Sequence, residues 1–249
     1  MPKPECHIYR MNIVEYLRAW EMQKALAQKV ADGTQSNTLL LLEHPPVYTI
    51  GRRGSRGQVL LHDGRLAQLG IALHEVDRGG QVTYHGPGQL VAYPVIDLRE
   101  WGGPVKYVRT LEQVVIKTLA DFGIAAGLVE GLTGVWVGDE KTLLEPSRKA
   151  CLERERKIAA IGVKISRGVS YHGLALNVNT DLSCFDHIIP CGITDRGVTS
   201  MERLLGGPVD VDVVAYSMVY HFGREMGFRM VEMESLPEVL AIQSTVYRR

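Results

Sequence analysis

Apolar positions along the chain change their period several times, and each change marks an element. Ile13, Tyr16, Leu17 and Trp20 recur at helical spacing. With Asn12 and Glu15 placed as a capping box, they predict a helix that stops near Gly33. "TLLLLEH" (38–44) reads as a buried strand closed by Pro45 and Pro46, and "VYTIGRRGSRG" as a strand running into a basic loop. A short helix from Asp63 precedes the strand "IALHEVD", and a further strand covers 90–98. Pro94 lies inside that strand, which points to a sheet edge or a bulge. Val108, Leu111, Val115, Leu119 and Phe122 give a helix beginning near Pro104 an apolar stripe.

Three strands follow, at 133–138, 157–165 and 171–178. "TSMERLLG", with Thr199 and Glu202 as a second capping box, starts another helix, and a last one occupies about 211–226. The charged segment 139–156 has weak periodicity and reads as an excursion from a hairpin. Strands crowd the middle and helices stand at both ends without strict βαβ alternation. The pattern therefore predicts an α+β fold with a mixed or antiparallel sheet. No internal repeat or Pro/Gly/Ser-rich linker divides the chain, so residues 1–249 are expected to form a single domain.

Composition narrows the function classes. The 249 residues carry 28 basic and 28 acidic side chains, which gives no electrostatic reason to expect nucleic acid or an anionic membrane as partner. No apolar run approaches the ~20 residues of a membrane span, and the N-terminus reads as neither signal peptide nor presequence. The four cysteines, at 6, 151, 184 and 191, form no CxxC pair, as suits a reducing compartment. The expectation is a cytoplasmic protein.

Two stretches stand out chemically. "RGGQVTYHGPGQLVAYPVIDL" (78–98) places four glycines ahead of a buried strand. Gly79, Gly80, Gly86 and Gly88 either make tight turns or let something approach bare backbone, with Arg78 and His85 bracketing the exposed amides. "HIIPCGITDRGVTS" (187–200) holds Cys191 in a turn before a capped helix, a setting that can expose a thiol and lower its pKa. Cys184, beside Phe185, reads as a small core hydrophobe. Lys157 and Lys164 lie on opposite faces of one strand, and spacing does not choose between them. No pair among His44, His85, His172 and Cys191 has metal-ligand spacing, so a zinc site is not expected.

In order along the chain, "LLEHPPVYTIGRRG", the glycine-rich stretch, "KIAAIGVKISRGVSYHGLALNV" and "IIPCGITDRGVTS" resemble the octanoyltransferase family of lipoate biosynthesis over about 38–203. The resemblance implies the biotin/lipoate protein ligase catalytic fold, a mixed sheet flanked by helices. It also implies transfer of an octanoyl group from octanoyl-acyl carrier protein to a lysine of lipoyl domains, those of 2-oxoacid dehydrogenases and of the glycine cleavage H protein. The acyl-thioester cysteine falls on Cys191 and its lysine partner on Lys157, which decides against Lys164. Substrate-binding segments fall on Arg78, Gly79, Gly80, Gln81, Val82, Thr83, Tyr84 and His85, on Ala160, Ile161 and Gly162, and on Gly173, Leu174 and Ala175. The excursion at 139–156 is longer than the family pattern leads one to expect.

Residue chemistry then supplies a mechanism. A thioester donor and an amide product make transfer downhill, so neither ATP nor metal is required, and the donor carries its own phosphopantetheine. A cysteine divides the reaction into two acyl transfers. Lys157 favours the thiolate and later takes a proton from the incoming amine, its own basicity moderated by the apolar "IAAIGV" beside it. Backbone amides, with His85 as a further donor, are expected to stabilise the oxyanion. Two other readings are an ATP-dependent ligase on the same fold and a binding module without chemistry.

Overall fold

The computed structural model describes residues 3–138, 155–189 and 197–234. Cys151, Cys191 and nearly all of the charged excursion lie outside the described residues.

Eleven strands are described: β1 (Glu5–Ile13), β2 (Asn37–Glu43), β3 (Val47–Ile50), β4 (Ala72–Glu75), β5 (Val82–His85), β6 (Gln89–Val95), β7 (Gly127–Val129), β8 (Leu132–Val137), β9 (Arg156–Ser166), β10 (Val169–Asn177) and β11 (Arg229–Glu232). The helices are α1 (Tyr16–Ala31), α2 (Asp63–Gln68), α3 (Pro104–Asp121), α4 (Met201–Leu205) and α5 (Val211–Met226). Eight strands form one mixed sheet in the order β11-β1-β2-β6-β10-β9-β8-β7. β4, β3 and β5 form a second, small sheet. Among the described residues, no helix is long and apolar enough to cross a membrane.

Period-two alternation in β2 explains the layering. Leu39 and Leu41 face a core shared with Leu111, Val115, Met218 and Phe222 of α3 and α5. Leu40 and Leu42 face the opposite core, filled by Ala19, Met22 and Leu26 of α1. The large sheet is thus covered on both faces, which is why its central strands read as continuous apolar runs. A third core joins the small sheet to α2 and to the turn of 3-10 helix at Leu182–His187, through Tyr48, Leu66, Tyr84 and Phe185.

Three local expectations are corrected. The first helix begins at Tyr16 with Glu15 as N-cap, and no side chain caps it; Asn12 belongs to β1. Ile13 and Leu17 are exposed, and the buried stripe runs through Tyr16, Ala19, Gln23, Leu26 and Val30. At α4 the cap is Ser200, whose hydroxyl accepts from the Arg203 amide at 3.2 Å, while Thr199 lies outside the helix with its amide bonded to the Lys157 carbonyl. Pro94 sits in an interior strand, opposite Leu39 of β2 and away from any edge. The β6–β10 ladder runs from Asn177↔Gln89 to Leu174↔Ala92 and resumes only at the Asp97↔Val169 bridge. In that gap the Ser170 hydroxyl donates to the Pro94 carbonyl at 3.0 Å, and His172 turns to a φ of 57°. Its amide donates to Gln23 Oε1 at 2.7 Å, so the ladder opens where proline has no N–H to give.

The hairpin origin of the excursion holds at its root, where Val137 of β8 faces Arg156 of β9.

Candidate active site

Segments far apart in sequence become neighbours here. Gly162, Ile161 and Ala160 of β9 stand opposite Gly173, Leu174 and Ala175 of β10 in antiparallel register. The glycine-rich segment is tied to the same wall, its Gly79 amide donating to the Val163 carbonyl at 3.0 Å. Close backbone approach requires glycine on both sides of this seam. A Cβ at Gly162 would lie 2.7 Å from the Gly79 carbonyl oxygen, and one at Gly173 would lie 2.2 Å from that of Ala92.

Arg78 stitches the loop to the small sheet. Its guanidinium donates to the Thr49 carbonyl (2.7 Å) and hydroxyl (2.8 Å), to the Gln81 carbonyl (2.8 Å) and to the Gly79 carbonyl (2.9 Å). Arg78 is buried, so these oxygens take the place of most of the water around its charge.

Between the two sheets lies a cavity of about 400 Å³. Arg78, Gly79, Gly80, Gln81, Val82, Thr83 and His85 line it, as do Ala160, Ile161, Gly162, Gly173, Leu174, Ala175 and Lys157. Tyr84 does not. Strand alternation turns it away, and its ring packs 5.6 Å from those of Tyr48 and Phe185 in the third core. Lys164 is also outside the lining, opposite Tyr171. Exposed Arg53, Thr133 and Gly197 form the rim, and buried Tyr16, Tyr93, His85 and His172 form the deep end.

Lys157 is clamped at the rim side. A register shift between Val135 and Trp136 places Trp136 opposite Lys157. The Nζ lies 4.7 Å from the Trp136 ring centroid, a face that attracts an ammonium. Its amide donates to the Gly197 carbonyl and its carbonyl accepts from the Thr199 amide, both at 3.0 Å. At the other flank of 190–196, the Ile189 amide donates to the Gln58 carbonyl at 2.8 Å. The candidate nucleophile Cys191 lies outside the described residues, between these two anchors.

The remaining described cysteines are poor nucleophiles. Burial raises the pKa of both Cys6 and Cys184. Cys184 packs against the third core.

The deep end is polar and tightly bonded. His44 holds the Val14 carbonyl (2.6 Å) with Nδ1 and the Tyr93 hydroxyl (2.7 Å) with Nε2. His172 Nε2 donates to Asp77 Oδ1 at 2.8 Å. His85 Nδ1 meets Gln89 Oε1 at 2.8 Å, and an amide oxygen can only accept. Nδ1 therefore carries the proton and Nε2 a lone pair. This corrects the expectation that His85 donates to an oxyanion. Sequence reasoning also missed Tyr16, Gln89, Tyr93, Trp136 and Asn177 as lining residues. Of these only Trp136, next to a glycine-flanked strand start, offered any local signal.

The family model of the lipoyl protein ligase A/B catalytic domain matches residues 15–223 of this α+β chain. Curated relatives named octanoyltransferase include that of Acidobacterium capsulatum, 45% identical over 96% of this chain and 98% of its own length. That of Solibacter usitatus is 48% identical over 93% and 97%. The chain belongs to this family of octanoyltransferases. Among solved structures, the bipartite lipoate protein ligase of Thermoplasma acidophilum, studied with its E2 lipoyl domain, superposes with a TM-score of 0.67 at 18% identity. The match covers 97% of this chain and 91% of that one. Lipoate-protein ligase A bound with ATP gives 0.64, also at 18% identity, over 96% and 92%. These likenesses establish the fold.

Proposed function

We propose that this octanoyltransferase takes its acyl group from octanoyl-acyl carrier protein, holds it as a thioester on Cys191, and delivers it to the acceptor lysine of lipoyl domains. Residues 1–249 serve as one catalytic domain. The observation that supports this most is the convergence of the three substrate-binding segments and Lys157 on one cavity, whose lining also includes Gly197 and Val198, just after the Cys191 segment in sequence.

In the first half-reaction the Cys191 sulfur attacks the donor carbonyl carbon. A new C–S bond forms, the carrier's C–S bond breaks, and the pantetheine thiol leaves with a proton. In the second, the acceptor amine attacks the Cys191 thioester. The C–N bond forms, the Cys191 thiolate departs, and the surplus amine proton passes to Lys157. Developing negative charge on the carbonyl oxygen is met by backbone amides around the glycine-rich motif or beside Cys191. His85 is excluded from that role by its tautomer. The chemistry needs no ATP, metal or other cofactor, and both protein partners are soluble carriers. Transfer in the cytoplasm suits them.

The test is turnover of octanoyl-carrier protein with apo lipoyl domain in the absence of nucleotide. Octanoylated lipoyl domain is expected. A strict requirement for ATP and free octanoate would instead mark a ligase, and stable complexes without product would mark a binding module.

A further inference from the structure

Hydrogen bonds in series fix what the deep end of the cavity offers a ligand. The Thr199 carbonyl is an acceptor only, so Asn177 must present Nδ2 to it, at 3.0 Å. Asn177 Oδ1 is thereby turned to Gln89, whose Nε2 donates to it at 2.9 Å and to the Tyr84 carbonyl at 3.1 Å. Gln89 Oε1 is left to face His85 Nδ1. The series ends on the lone pair of His85 Nε2, for which the described residues show no hydrogen-bond partner, on a residue that lines the cavity.

The aromatic and imidazole rings around it have no proton to spare. The Tyr16 ring stacks on His85 at 5.8 Å, but the Tyr16 hydroxyl is turned to His172 Nδ1, 3.5 Å away. That nitrogen is the free acceptor of a ring whose other nitrogen donates to Asp77. The His44 ring meets His85 edge-on at 5.7 Å. His44 donates through Nδ1 to a backbone carbonyl and accepts through Nε2 from the Tyr93 hydroxyl, which uses that proton as well. Burial, and next the nearby His44, holds the His85 pKa well below its ordinary value, so the ring is neutral at physiological pH and stays an acceptor.

We infer, building on the acyl-transfer reading above, that His85 is a chain-length-determining residue whose Nε2 takes a hydrogen bond from solvent or a polar ligand end and penalises a methyl group pressed against it. Chain length is then limited by a stranded acceptor as well as by a wall. On this inference the lone pair lies beyond the end of an octanoyl chain and within reach of a decanoyl one, which covers it and leaves it without a partner. Loss of a partner at a buried acceptor corresponds to roughly ten- to a hundredfold in kcat/KM.

The experiment uses the full chain with carrier-protein thioesters in matched pairs, octanoyl with 7-hydroxyheptanoyl and decanoyl with 9-hydroxynonanoyl, and reads kcat/KM for transfer to apo lipoyl domain. Exchanging methyl for hydroxyl is expected to cost about tenfold less at the decanoyl length, which meets His85, than at the octanoyl length. In His85→Phe that difference should vanish and decanoyl transfer should rise relative to octanoyl. An equal or larger hydroxyl cost at the longer length in the wild type overturns the inference, whether or not the variant folds. So does an unchanged difference in a folded His85→Phe. Absence of octanoyl transfer altogether is a different result, and it removes the acyl-transfer reading itself.

Discussion

The Thr199 amide donates to the Lys157 carbonyl at 3.0 Å, while the Thr199 carbonyl accepts from Asn177 Nδ2 at 3.0 Å. One residue therefore fixes the backbone of the candidate base and begins the hydrogen-bond series that ends at His85. The strand end carrying Lys157 and the deep wall of the cavity are set by the same short segment, 197–199, where the chain re-enters the fold after Cys191.

Lys157 can be tested by two substitutions. Lys157→Ala removes the proton acceptor and the charge beside the proposed thiolate. Lys157→Arg keeps a charge but cannot give up its proton near neutral pH. Both should lower kcat by about a hundredfold or more, the usual scale for a positioned acid–base group. Steady-state kinetics check this, and a Lys157→Arg enzyme retaining most of its activity would remove the lysine from the mechanism.

The glycine seam makes a sharper structural prediction. Gly162→Ala forces a methyl against the Gly79 carbonyl oxygen at 2.7 Å, and neither backbone can yield without breaking the register. A loss of about 1–3 kcal/mol is expected, as for other overpacked sites, with a comparable fall in transfer rate. Gly207→Ala, with no atom within 4 Å of the new methyl and an ordinary φ, is the control and should leave the urea midpoint nearly unchanged.

Arg78→Lys probes the staple. Lysine cannot reach the carbonyls of Thr49, Gly79 and Gln81 together, so buried oxygens lose their donors. Destabilisation of about 2–4 kcal/mol is expected in denaturant unfolding, because a buried hydrogen-bonded cation is replaced by one that satisfies only part of the set.

The buried histidines give stability a pH dependence with a definite sign. Burial lowers the pKa of His44 to about 4, and it also lowers those of His85 and His172, the last opposed by Asp77. Unfolded histidines bind protons near pH ~6.5 that the folded ones refuse, so stability is complete above that pH and declines as pH falls toward 4. His44 alone contributes about 3 kcal/mol to this loss. Urea midpoints at pH 7.5 and 5 should show the decline, and His44→Gln should reduce it. A midpoint constant across that range contradicts the assignment.

Local chemistry made much of this legible. The continuous leucine run of β2 predicted a strand covered on both faces, and the stripe of α3 predicted a helix with one face on a single core. Cap positions were harder: Asn12–Glu15 and Thr199–Glu202 match the capping pattern, yet long-range strand pairing takes Asn12 into β1 and Thr199 against Lys157. β11 is four residues long and gains its place only by lying parallel to β1 from the far end of the chain. In the cavity, the motif segments announced themselves through glycine, whereas Tyr16, Tyr93 and Asn177 are ordinary strand or helix residues. Only the tertiary fold turns them to one space. The role of His85 needed hydrogen-bond directions that no spacing encodes.

The most direct test is intact-protein mass spectrometry after incubation with octanoyl-carrier protein, followed by addition of apo lipoyl domain. The wild-type chain should gain one octanoyl mass on Cys191, pass it to the acceptor, and return to its starting mass, while Cys191→Ala should gain nothing. An adduct that forms equally well on Cys191→Ala would contradict the account.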